Sequence, residues 1–190
     1  WLGKGVTTIT GDNVTAGIFA FKLLTLVAFL ALIWVVRRLA SELGSDPDLA
    51  VWLGVANPLV ILHLIGGLHT ESMMMALVML GILASLRLRP VPGLLLGSVL
   101  IAVGVALKAT AAIALPFLVW IAVARIAGPA PGGWFKETGA RFAALLWTGI
   151  SSVAIVVAVM FAITWASGQT WGWIAEMSGN SKVINPLAAP

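Results

Sequence analysis

The chain has 190 residues, of which 61% are hydrophobic and only 9% are charged, and its mean hydropathy is +1.07. Soluble domains carry about a quarter charged residues, so this composition excludes a soluble enzyme and a disordered chain. The net charge of +4 comes from basic residues scattered singly or in pairs, which argues against nucleic-acid binding. The sequence therefore predicts an all-α, polytopic bundle of transmembrane helices. The absence of cysteine excludes disulfides, thiol nucleophiles and cysteine-ligated metals.

Five apolar blocks follow one another along the chain, and the fourth is too long for one membrane helix. A span needs about 20 residues, whereas the apolar run over 92–126 is 35 residues long and contains Lys108. Two short helices that meet near Lys108 fit better, and a Gly93-Gly97 pair in the first of them predicts close helix packing. This gives about six membrane helices in one domain over residues 1–190. Their predicted bounds are about 16–36, 49–65, 72–86, 92–107, 109–126 and 142–166, with an outer segment over 167–190.

The basic residues indicate which loops face the cytoplasm. With the loop after the first helix placed inside, seven basic residues fall on the inner side and four on or near the outer side. This imbalance supports that orientation under the positive-inside rule. The inner set is Arg37, Arg38, Arg87, Arg89, Arg125, Lys136 and Arg141, and the outer set is Lys4, Lys22, Lys108 and Lys182.

Both ends of the chain lie in polar stretches, at Trp1 and at Pro190. There is no initiating methionine and no signal-like region. We therefore expect an internal fragment of a larger multi-span protein, with part of an active site outside it.

The polar residues that are costly in lipid gather on the predicted outer side, most densely between Asn57 and Glu71. A carboxylate on Glu71 and an imidazole on His69 at this interface could bind hydroxyl groups or move a proton. The alternative is structural, because an acidic residue stabilises the start of a helix and Thr70 could cap it. Asn57 precedes Pro58, and we expect its side chain to hydrogen-bond near the carbonyl that this proline frees within the second span.

Two further residues are candidates for substrate binding. Lys108 would place a cation at a helix junction near the membrane surface, which suits a phosphate at head-group level. The alternative is a lysine that reaches the interface without a partner. Asp12 is the second candidate, although its Thr-Gly-Asp-Asn context is typical of a turn or helix cap. No metal is predicted, since a His-x-Glu motif alone does not define a metal site.

The stretch from Asn57 to Leu77 resembles the actinobacterial polyprenol-phosphate-mannose-dependent α-(1→6)-mannosyltransferases, which are multi-span enzymes of the GT-C class. That family has a similar Asn-Pro-Leu-Val segment leading through Gly-Gly to His-Asn-Asp or His-Asn-Glu at the outer face. Here Thr70 stands where the family more often has asparagine. The region of Lys108 resembles the family's lysine-bearing hairpin, although the next proline here is Pro116 instead of one close to the lysine. The matching residues are Asn57, Pro58, Gly66, Gly67, His69 and Glu71.

The resemblance implies a glycosyltransferase that moves mannose from polyprenyl-phosphate-mannose to an α-1,6-mannan glycolipid acceptor, as in lipomannan and lipoarabinomannan cores. It implies inversion at the anomeric carbon, no nucleotide sugar and no cofactor. It further implies a multi-pass plasma-membrane protein with an extracytoplasmic active face, in contact with membrane lipids and not with nucleic acid. We expect His69 and Glu71 to be catalytic, and Lys108, Asn57 and Asp12 to bind substrate. The acidic catalytic residue of GT-C enzymes typically lies in the first outer loop, which would precede Trp1.

Two other function classes stay open from the residues alone. A secondary transporter could use His63, His69, Glu71 and Lys108 as an intramembrane proton or substrate path. The polar residues gather near one face instead of the midplane, and no inverted repeat is visible, which argues against a transporter. A non-catalytic scaffold subunit would require the outer polar cluster to tolerate alanine substitution throughout.

Overall fold

The computed structural model describes residues 1–11, 13–66, 70–128 and 138–168, together with Thr170 and Gly172. These residues form helices and no strand, which confirms the predicted all-α class. In chain order the elements are α1 (Leu2–Thr10), α2 (Val14–Glu42), α3 (Pro47–Gly54), α4 (Pro58–Ile61), the π-helical turn Leu62–Gly66, α5 (Glu71–Arg87), α6 (Pro90–Leu107), the 3₁₀ helix Ala109–Ala114, α7 (Leu115–Ala127) and α8 (Thr138–Ser167).

Four helical segments in the described residues are long and apolar enough to cross a membrane, namely α2, α6, the 3₁₀ helix with α7, and α8. The pair formed by α3 and α4 with its π-helical turn is bent by 62°, and it makes a fifth crossing if the two parts are counted together. The remaining predicted interval holds α5, which has 17 residues. That length is at the lower limit for one span. The structure thus gives four or five candidate crossings where the sequence predicts about six.

The second predicted interval, 49–65, is interrupted before Pro58. The residue that precedes a proline avoids the helical conformation, and Asn57 is extended, with φ −62° and ψ 129°. Pro58 is therefore the first residue of α4, where its missing N–H leaves no helical hydrogen bond unmade. Pro58 is predicted to lie inside the second span, and in the structure it begins the second part of the bent pair that would form this span. Asn57 caps α4, because its Oδ1 accepts a hydrogen bond from the backbone N–H of Leu59 at 2.9 Å.

The helices alternate in direction, and the described arginines share one end of the bundle. At the ends of α5 and α2, Arg87 Nε lies 2.6 Å from Glu42 Oε1. Near the end of α7, Arg125 donates to the carbonyl oxygen of Ser85. We call this the arginine end, defined by Arg37, Arg38, Arg87, Arg89, Arg125 and Arg141.

The opposite end holds the start of α5 and the C-terminal turns of α6 and α8. Trp1 Nε1 donates to the carbonyl oxygen of Ala106 at 3.0 Å, and Lys4 Nζ donates to the carbonyl oxygen of Ser167 at 2.6 Å. These two hydrogen bonds attach α1 to the last turns of both helices. We call this the lysine end, defined by Lys4, Glu71 and Lys108.

The central helix is α6, which packs against α5, α7 and α8. Its side chains Leu94 and Ile101 have no exposed surface and pack with Leu118 of α7. Ser98 Oγ donates to Ser152 Oγ at 3.0 Å, so a buried hydrogen bond joins α6 to α8. Such a bond pairs two hydroxyl groups that hydrocarbon could not solvate.

Small residues let α5 and α6 approach closely, as the Gly93-Gly97 spacing predicts. A Cβ atom on Gly97 would lie 2.8 Å from the carbonyl oxygen of Gly81, and one on Gly93 would lie 3.0 Å from that of Ala84. Neither position could carry a larger side chain without moving the neighbouring backbone.

We therefore expect Gly97→Ala to destabilise the full-length protein in detergent by about 1–3 kcal/mol, through overpacking. The added Cβ would lie 2.6 Å from Leu118 Cδ1 and would also meet the Gly81 carbonyl, which cannot rotate away. Gly149→Ala in α8 is the control, because a Cβ there meets nothing within 4 Å and alanine favours a helix. Thermal unfolding would measure both, and equal stability of the two variants would contradict the α5–α6 packing.

Candidate functional site

The structure brings together two of the predicted site residues, Glu71 and Lys108. Lys108 Nζ lies 2.5 Å from Glu71 Oε1, although the residues are 37 positions apart in sequence. The Glu71 side chain is 19% exposed and that of Lys108 is 47% exposed. The pair therefore lies at the surface of the lysine end, with the carboxylate as its more buried member.

Each of these side chains is placed by the end of a helix. Glu71 is the first residue of α5, where the helix dipole favours a negative charge. Lys108 follows the last residue of α6 and is extended, with φ −156° and ψ 124°. This conformation ends α6 and begins the 3₁₀ helix, so the apolar run 92–126 is divided at the lysine as predicted.

Thr70 precedes α5, but its side chain makes no capping hydrogen bond. The predicted side-chain cap is therefore wrong. A capping residue is typically extended, whereas Thr70 has φ −85° and ψ 1°, so its hydroxyl is not aimed at the N–H groups of the first turn.

Thr110 belongs to the same surface, and sequence reasoning missed it. Its Oγ1 lies 3.5 Å from Met74 Sδ, three residues after Glu71 in α5. A thioether is a weak acceptor, so the hydroxyl hydrogen is not strongly committed. Lys108 and Thr110 both reach from the α6–α7 junction toward the first turn of α5. In the sequence, the feature that could have identified Thr110 is a hydroxyl residue two positions after the lysine at this junction.

The other predicted site residues are placed differently. Asn57 is exposed, and its Oδ1 serves the cap of α4. His63 is exposed in the π-helical turn. His69 and Asp12 lie outside the residues that the structure describes. Within the described ranges, no three histidine, aspartate or glutamate side chains are grouped so that they could hold a metal ion.

A cleft of about 880 Å³ separates α1 from the first two turns of α2. Lys4, which lines the cleft, belongs to the lysine end, where α1 is attached to the bundle. Its volume lies within the range of small-molecule sites, roughly 300–1,000 Å³. Polar side chains of α1 line one wall, among them Lys4 and Thr7, and apolar side chains of α2, among them Ile18 and Phe21, line the other.

Comparison with known proteins identifies the family that this sequence matches. Residues 1–124 match the sequence model described as "Alpha-(1->6)-mannopyranosyltransferase, N-terminal domain". The whole chain is 49% identical to alpha-(1->6)-mannopyranosyltransferase A of Corynebacterium glutamicum, of which it covers 39%. It is 38% identical to alpha-(1->6)-mannopyranosyltransferase A of Mycobacterium tuberculosis, of which it covers 34%. The chain thus spans less than two fifths of either relative, and no solved structure matches it.

Because both side chains reach solvent, we expect the Glu71–Lys108 ion pair to contribute little to folding. A double-mutant cycle with Glu71→Gln and Lys108→Met should give a coupling energy of about 0.2–1 kcal/mol in the unfolding of the full-length protein. The pair Glu42–Arg87 at the arginine end, with a 2.6 Å contact and side chains that are 34% and 38% exposed, is the control. A coupling several times larger than in the control would assign the pair a structural role.

Proposed function

This chain belongs to the alpha-(1->6)-mannopyranosyltransferase family, and on that premise we propose that the protein containing it transfers mannose from polyprenyl-phosphate-mannose to an α-1,6-mannan glycolipid acceptor. The family match covers both members of the Glu71–Lys108 pair. The observation that carries the proposal is this pair, because it puts a cation and a carboxylate side by side at one end of an apolar bundle. A lipid-linked donor needs its phosphate bound at such a boundary between lipid and water.

The lysine end is proposed to face the outside of the plasma membrane. In the described residues six arginines gather at the opposite end, and basic loops favour the cytoplasmic side. The donor phosphate would then reach Lys108 from the outer leaflet, at head-group level. The proposed product is the core mannan of lipomannan and lipoarabinomannan.

In the proposed reaction the bond between the anomeric carbon and the donor phosphate breaks, and a bond to the acceptor hydroxyl oxygen forms with inversion. The prenyl phosphate that leaves carries one more negative charge than the phosphodiester donor. An ammonium group on Lys108 stabilises this developing charge more strongly in the transition state than in the donor. Lys108 therefore binds the donor phosphate and favours its departure.

The acceptor hydroxyl must lose its proton as the new bond forms. Glu71 offers a partly buried carboxylate beside the cation, and its proposed role is to orient sugar hydroxyls or to assist this proton transfer. His69 has the same proposed role from the sequence pattern. Asn57 and Asp12 remain proposed substrate contacts on sequence grounds alone.

We expect Lys108→Met and Glu71→Gln each to lower mannose transfer about tenfold or more, because each removes a charge that acts on the reacting groups. Lys108→Arg should retain part of the activity, since it keeps the cation. The assay uses membranes that contain the full-length protein, labelled polyprenyl-phosphomannose and a short α-1,6-mannoside. Arg87→Met and Glu42→Gln, which break the control pair at the arginine end, should leave the rate unchanged.

Wild-type rates in the Lys108 and Glu71 variants, with folded protein present in equal amounts, would overturn the site. No elongation by folded wild-type protein would overturn the donor assignment. Other prenyl-linked sugars would then be tried, and solute uptake into proteoliposomes would test the transporter alternative.

The orientation has a separate test, because the chain contains no cysteine. In a full-length protein without other cysteines, we expect Ala109→Cys to react with a membrane-impermeant maleimide on intact cells. We expect Ser45→Cys at the arginine end to react only after permeabilisation. Both residues are exposed, so the reverse pattern would contradict the proposed outer face.

A further inference from the structure

The cleft between α1 and α2 is lined by hydroxyl groups whose hydrogens are already committed. Thr7 Oγ1 donates to the carbonyl oxygen of Lys4, and Thr10 Oγ1 donates to that of Val6, each at 3.0 Å. Both threonines line the cleft. A hydroxyl that donates to its own helix keeps its oxygen lone pairs, so this wall offers acceptors to whatever enters the cleft.

The opposite wall offers one amide and an apolar surface. Asn13 Oδ1 accepts from the backbone N–H of Ala16 and so caps α2, which makes Nδ2 the atom that can donate into the cleft. Val14, Ile18 and Phe21 follow on the same face of α2, at helical spacing. The cleft therefore changes from polar at its α1 side to apolar along α2.

Hydroxyl groups outnumber charges in the lining of this cleft. Among the described residues that line it, Lys4 is the one charged side chain, and its Nζ already donates to the Ser167 carbonyl oxygen at 2.6 Å. A row of acceptor oxygens disfavours an anion and suits a ligand that donates from several hydroxyl groups. The apolar wall suits the C–H face of a sugar ring.

We propose that this cleft binds neutral sugar residues of the acceptor glycan, apart from the phosphate site at Lys108. This assignment rests on the proposed function, because it names where one of the two substrates lies. The two sites share the lysine end, since Trp1 at the start of α1 is hydrogen-bonded to Ala106, two residues before Lys108. Sugar hydroxyls donate to Thr7 and Thr10 and accept from Asn13, while the ring packs on Ile18 and Phe21.

The kinetic test uses the full-length protein with Thr7→Val and Thr10→Val combined. We expect KM for a short α-1,6-mannoside to rise about tenfold, because two hydrogen bonds to the sugar are lost. kcat and KM for the lipid donor should stay unchanged. Thr7→Ser with Thr10→Ser keeps both hydroxyls and should restore the acceptor KM. Thr15→Val is the matched control, since Thr15 is exposed on α2 but does not line the cleft.

The binding test needs no turnover. Saturation-transfer NMR of the same mannoside with purified full-length protein, without donor, should give a signal that the double valine variant loses and the double serine variant keeps. Mannoside binding lost in this way from a protein that transfers no mannose would support the cleft and overturn the proposed reaction.

An unchanged acceptor KM in an active double valine variant would overturn the cleft assignment and leave the proposed reaction standing. A rise in donor KM alone would also overturn it, because the cleft would then hold the donor. Failure of the mannoside to bind, with a phospholipid co-purifying with wild-type protein and lost from the variant, would make the cleft a lipid site.

Discussion

The close contact of α5 with α6 at Gly81 and Gly97 sets the geometry of the lysine end. The two helices are antiparallel, and Gly81 lies ten residues after Glu71 while Gly97 lies eleven residues before Lys108. Since each residue of a helix rises about 1.5 Å, both side chains stand roughly 15 Å from the crossing point, at nearly equal height. The register of a glycine contact deep in the bundle therefore brings the carboxylate and the ammonium group within 2.5 Å at its surface.

The same packing separates the two ends of the bundle by chemistry. Arginines at one end hold neighbouring helices together through Glu42 and the carbonyl oxygen of Ser85. At the other end α1 bridges the last turns of α6 and α8 through Trp1 and Lys4. The cleft between α1 and α2 and the Glu71–Lys108 pair lie at the same end of the bundle, because α1 is attached to the last turn of α6.

The helices were predictable from the sequence because long apolar runs bounded by charges determine them. The break at Lys108 followed from the length of the apolar run and from the sidedness of the basic residues, without glycine or proline beside it. The bend before Pro58 comes from the restriction that proline imposes on the backbone of Asn57, and hydropathy alone does not show where such a bend lies. Glu71 and Lys108 were each identified as candidates. Their contact depends on the register of α5 against α6, which cannot be predicted from composition. Thr110 was missed for the same reason, because its position matters only once α5 lies opposite it.

The ion pair bears on how a transferase of this kind would distinguish its substrates. On the proposed mechanism, the donor phosphate and the Glu71 carboxylate are both negatively charged, and they compete for the one positive charge of the Lys108 ammonium group. Binding of the phosphate would draw Lys108 toward the lipid and leave the Glu71 carboxylate to the acceptor hydroxyl. In the cleft proposed for the acceptor there is no such competition, because Thr7 and Thr10 present hydroxyl oxygen atoms. A charged donor and a neutral acceptor would thus be sorted to different parts of one surface by electrostatics before any reaction occurs.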